Sequence, residues 1–160
     1  MAYYTIPRYE GKTEGNRIIW ETAGELVYIE PYGRDAIRFR SSKSLRIDGE
    51  LNWTLEEPAP PQGVIIEADD EKASMTNGKI QVTITGDGTV TYRNTRTGKV
   101  LLEEYWIDGR AHTAPLRRAR EYRVTSGNQF KISLYFKAEP GEHFYGMGQD
   151  ANDCFDLKGS

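Results

Sequence analysis

Carboxylates crowd the end of the chain: Glu139, Glu142, Asp150, Asp153 and Asp156 all fall within residues 138–160. Two carboxyl groups about 5–5.5 Å apart are the machinery of a retaining glycosidase, one as nucleophile and the other as acid and base. Here the acidic residues follow neither a helical nor a strand period, and carboxylates in a polar loop are ordinarily solvated, so no catalytic pair is assigned to this loop. Asp150-x-Asn152-x-Cys154-x-Asp156 has the rhythm of a calcium loop. Phe155, however, stands where a glycine must turn such a loop, and no glutamate occupies its twelfth position. His112 and His143 each lack a second histidine at ligand spacing, and the single cysteine, Cys154, rules out an intrachain disulfide or a thiolate zinc site. Neither a metal nor a cofactor is expected.

The loop bearing these residues is shaped by its own sequence. Pro140-Gly141 is a turn signal. Phe144 and Tyr145 follow, and then Gly146 and Gly148, which allow backbone angles or close approaches that larger residues resist. Shaped polar loops are where function usually sits.

Alternating strands must hold this loop in place. Ile80, Val82 and Ile84 share one face against Gln81, Thr83 and Thr85; Gly86-Asp87-Gly88 turns the chain, and Val90 and Tyr92 resume the alternation. Phe130, Ile132, Leu134 and Phe136 form a second row, expected to be buried, after the turn at Ser126-Gly127-Asn128. Near the start, residues 17–22, 25–30 and 35–40 read as three short strands, with Ile37 and Phe39 alternating against Arg38 and Arg40. Residues up to Thr13 show little pattern, and 41–62 read as a long crossing loop with a minor strand at Leu51, Trp53 and Leu55. No segment carries a 3.6-residue period, so the fold class is all-β, an antiparallel β-sandwich of about ten to fourteen strands in a single domain over residues 1–160.

Composition narrows the partners. The net charge of −3, from 21 basic and 24 acidic residues, gives no reason to expect nucleic acid. No run is long and apolar enough for a membrane span, and the first residues lack the apolar core of a signal peptide, so a cytoplasmic location is expected. Arg117, Arg118, Arg120 and Arg123 form a basic cluster, read as a solvated strand face or, more sharply, as an interface to a neighbouring domain. Trp20, Trp53 and Trp106 are either core aromatics or, if exposed in a row, sugar platforms of a stand-alone carbohydrate-binding module.

Two stretches carry a resemblance. Residues 77–85, continuing through Gly98-Lys99 into the apolar strand at 100–104, resemble the β-sandwich before the catalytic barrel in glycoside hydrolase family 31. Glu142-His-Phe-Tyr-Gly-Met-Gly-Gln149, with residues 155–159, resembles that family's Phe-Tyr-Gly-Leu-Gly signature, with Met147 and Gln149 as departures. The resemblance implies a galactose-mutarotase-like sandwich leaning over the barrel of a retaining α-glycosidase of the α-glucosidase or α-xylosidase type. It implies that both catalytic aspartates lie on the barrel, so none is carried over to this chain. The closing loop would then form one wall of the pocket, with Asp156, and second Asp150, accepting bonds from a sugar hydroxyl. Phe144, Tyr145, Met147 and Phe155 would form the interface to the barrel. Because Ser160 comes directly after the signature, a (β/α)8 barrel is expected to follow, with a carbohydrate as the full-length enzyme's substrate.

Overall fold

The computed structural model describes residues 10–22, 24–44, 46–48, 55–105, 118–127 and 129–145. Among them there are eleven strands and no helix, in keeping with the all-β sandwich expected. Strands β1 (Glu10–Glu14), β2 (Arg17–Thr22), β3 (Glu25–Pro31) and β4 (Ile37–Ser42) form an antiparallel meander in sequence order. A second meander runs through β5 (Ile65–Ala68), β6 (Lys72–Asn77), β7 (Ile80–Thr85), β8 (Val90–Asn94) and β9 (Val100–Glu103). The hairpin of β10 (Arg120–Ser126) and β11 (Gln129–Leu134) completes the described strands.

The two meanders face each other because each has one apolar row at period two. In the first, Ile18 lies opposite Ile29 and Trp20 opposite Val27. In the second, Met75 lies opposite Val82, and Ile84 opposite both Ala73 and Val90. These nine side chains are buried in one cluster, and Ile37, Phe39, Val64, Ile66 and Tyr92 pack around it. The hairpin joins the edge of the second meander: Glu104 bridges Phe136, and the Tyr105 and Lys137 amides donate to the Tyr135 and Glu103 carbonyls at 2.9 Å each.

Several expectations are corrected. Strand β1 begins within the stretch that lacked pattern. Strands β5 and β6 went unassigned because the inward positions of β6 are Ala73, Met75 and Asn77, which do not read as an apolar row. On β4, Arg40 is not fully solvated; it is drawn inward by Glu30, whose Oε2 accepts from Arg40 Nη2 at 2.6 Å and from Nε at 2.9 Å. The row Phe130, Ile132, Leu134 and Phe136 is exposed rather than buried. Its parity is as read: Val124 pairs with Phe130 and Tyr122 with Ile132, while Arg123 and Lys131 face the other way. The register has not slipped; that face of the hairpin has no apolar layer packed over it. Leu51 and Trp53 lie outside the described residues, and Leu55 is exposed and outside any strand.

Candidate functional site

Three features of the described surface and interior could serve a function, and each is set by strand parity. The first is a buried ionic tie. Glu25 stands two residues before Val27 on β3, so its side chain enters the core. Arg120 stands two residues before Tyr122 on β10 and does the same. Arg120 Nε donates to Glu25 Oε1 at 2.8 Å, and its Nη1 donates to the Glu104 Oε1 and Oε2 atoms at 2.7 and 2.5 Å. Its Nη2 donates to the Gly88 carbonyl at 2.9 Å, while Glu104 Oε2 also accepts from the Val90 amide. Ser41 Oγ donates to Glu25, and Tyr122 Oη donates to Ser41, which extends the network to the surface. This corrects the reading of the arginine cluster as one solvated face. Arg118 and Arg123 are exposed and Arg120 is buried, while Arg117 lies outside the described residues.

Burial pushes the Glu104 carboxyl up from its ordinary range, although the Arg120 charge pulls the other way. Burial likewise works against the Arg120 charge, but the carboxylates of Glu104 and Glu25 outweigh it, and the guanidinium pKa is raised. Burial, with the Glu104 charge second, pushes the Tyr92 hydroxyl up to about 12. Two carboxylates thus converge on one point, yet both are enclosed and held by one guanidinium, with side-chain exposures of 4% and 5%. They cannot flank a glycosidic bond. The cluster ties the two meanders and the hairpin together.

The second feature is the closing segment. Pro140 and Gly141 are the central residues of a turn in which the Glu142 amide donates to the Glu139 carbonyl at 3.2 Å, with Gly141 at φ 76°. That positive angle at the third position is the conformation a glycine there supplies. Beyond it the chain is extended, so residues two apart share a side: the His143 and Tyr145 rings stack with centroids 5.9 Å apart and planes 17° from parallel. Phe144 and Tyr145 are 49% and 53% exposed, so the aromatic half of the expected interface is at the surface. Met147, Phe155, Asp150 and Asp156 lie outside the described residues. Trp20 is buried in the core and offers no sugar platform; Trp53 and Trp106 lie outside the described residues.

The third is the groove between the end of β4 and the hairpin, walled by residues 41–44 on one side and by Tyr122, Phe130 and Ile132 on the other. Among the described residues no group of three or more His, Cys, Asp or Glu gathers to hold a metal. Sequence reasoning missed Glu25 and Glu104. The signal for Glu25 was there, since a carboxylate in phase with Val27 and Ile29 must be paired if it is to be buried.

Comparison with known proteins agrees with the fold. A curated relative, an uncharacterized family 31 glucosidase of Pseudescherichia vulneris, is 28% identical over 157 residues, which is 90% of this chain and 29% of that protein. The crystal structure of a family 31 α-xylosidase from a soil metagenome, complexed with xylose, superposes with a TM-score of 0.79 at 28% identity, over 94% of this chain and 24% of that one. The chain therefore spans about a quarter of the length of the proteins it resembles. A family profile described as the glycosyl hydrolase 31 N-terminal galactose mutarotase-like domain matches residues 26–160. This chain belongs to the family of glycosyl hydrolase 31 N-terminal galactose mutarotase-like domains.

Proposed function

We propose that this chain is the N-terminal sandwich of a longer retaining α-glycosidase, in which a catalytic (β/α)8 barrel follows residue 160. The observation that carries this reading is the profile match over residues 26–160, to a domain defined by its place before such a catalytic unit. The absence of an accessible carboxylate pair among the described residues supports a division of labour. The sandwich packs on the barrel and shapes one side of its pocket, while the barrel supplies the nucleophile and the acid. In this reading Phe144, Tyr145, Met147 and Phe155 pack against the barrel. Asp156, and second Asp150, accept bonds from sugar hydroxyls as charge-assisted contacts. The substrate is an α-glucoside or an α-xyloside, in keeping with the two relatives. A cytoplasmic location fits a fold that holds together without disulfides.

The test is to express the longer protein and assay it with aryl α-glucosides and α-xylosides, following the anomeric form of the released sugar. Turnover with retention is expected; no turnover on either substrate would sink the proposal. Asp156→Asn should raise KM more than it lowers kcat if the residue only holds the substrate.

A further inference from the structure

We propose that the apolar face of the β10–β11 hairpin is a docking surface for an apolar β-layer supplied, in cis, by polypeptide beyond residue 160. This rests on the proposed function to the extent that such polypeptide must exist. Val124, Phe130, Ile132 and Leu134 lie on one face by their pairing and are 62%, 45%, 57% and 53% exposed. The core rows of the two meanders, built on the same alternation, are shut away from solvent. The opposite face of the hairpin carries Glu121, Arg123, Lys131 and Ser133. A strand pair with charges on one side and branched aliphatics on the other is patterned for one covered face and one wet one. A lone two-stranded hairpin is marginal in water, so leaving its apolar side open sets aside the burial that would hold it.

The chemistry of the row identifies its occupant. Three of the four side chains are aliphatic, and the hydroxyls of Ser41 and Ser42 stand only at the margin of the groove. A sugar would find neither a flat aromatic row nor hydrogen-bond partners along it. A β-layer needs neither and buries its own apolar row against this one, as the two meanders bury theirs against each other. The proteins this chain resembles are three to four times longer, with the chain covering 29% and 24% of them. The same molecule can therefore deliver that layer at high effective concentration.

The experiment uses the longer protein, in a background whose other reactive thiols are replaced. Ile132→Cys and Lys131→Cys report on the two faces through maleimide labelling. Position 132 should label at least about tenfold more slowly than position 131, since an enclosed thiol is inert. That protection should survive about a hundredfold dilution, as an intramolecular contact must. Hydroxyl-radical footprinting of the unmodified protein reads Phe130 and Leu134 directly and should show both protected, whatever the cysteine variants do to folding. Equal labelling of the two faces, or oxidation of Phe130 and Leu134 at solvent rates, overturns the inference. Protection lost on dilution overturns it too, because the cover is then a second copy. Glycosidase activity of the same sample separates the two ideas. Activity with an open row defeats the docking surface alone, and an inactive protein with a covered row defeats the functional reading alone.

Discussion

Arg120 satisfies two carboxylates and a carbonyl with one planar group, a task a lysine cannot share because its ammonium is a single point of charge. Taking the guanidinium away leaves Glu25 and Glu104 enclosed without a counter-charge, and losing one partner of a buried pair costs about 3–5 kcal/mol. Arg120→Met should therefore lower the urea midpoint by that much, and Arg120→Lys should recover only part of it. The pH dependence has a definite sign. The native Glu104 pKa lies above its ordinary 4.5, so its contribution is fully present below that value and is lost as pH rises through the raised one. Arg120→Met removes the opposing charge, raises that pKa further and should steepen the fall. Glu104→Gln should flatten it, and urea midpoints between about pH 4 and 7 are the check. A second buried tie lies elsewhere in the sandwich, where Asn77 Nδ2 donates to the Gly33 and Ala36 carbonyls at 3.0 and 2.7 Å. Asn77→Ala leaves both carbonyls short of a donor and should cost about 1–3 kcal/mol in the same measurement.

At the scale of elements, the turn between β7 and β8 is fixed by contact as much as by angle. A Cβ on Gly88 would sit 2.6 Å from the Trp20 ring, at φ 85°, so Gly88→Ala must move a core indole. About 2–3 kcal/mol of overpacking is expected from it. Gly127→Ala in the β10–β11 turn meets nothing within 4 Å at φ 53° and should cost only the backbone strain, about 1 kcal/mol. Thermal melts of the two variants make the comparison. The same contrast explains what the sequence made legible. Ile80, Val82 and Ile84 announce β7 because large apolar residues alternate with threonines and glutamine. Strand β6 keeps the same period with Ala73, Met75 and Asn77, and the period disappears from view once size and polarity vary. Parity was legible even where burial was not: Phe130, Ile132 and Leu134 do share a face, but pattern says which side is apolar, never whether something lies upon it. Arg120 went unread because its neighbours Arg118 and Arg123 suggested a surface cluster, although its phase with Tyr122 pointed inward.

For the molecule as a whole, the arrangement of charge decides what this chain can do alone. Glycoside hydrolysis needs a nucleophile and an acid on either side of the bond, each held close to its productive position by rigid elements. In the described part of the sandwich, Glu25 and Glu104 are rigidly held but sealed, and Glu30 is engaged by Arg17 and Arg40. A barrel offers what is missing, since catalytic groups there come from the ends of several strands around one mouth. The contribution left to the sandwich is support and shape. Tyr145→Ser in the longer protein should therefore lower its stability or its activity, and unchanged values of both would remove this segment from the interface. The 160-residue chain by itself should cleave neither aryl α-glucosides nor α-xylosides, under conditions in which the longer protein turns them over. The decisive control is mutational: turnover that survives removal of contaminating enzymes, and that disappears in Asp150→Asn or Asp156→Asn, would put the reacting carboxylates in this domain after all. Loss of activity confined to the chain that lacks the barrel is the outcome the sealed carboxylates require.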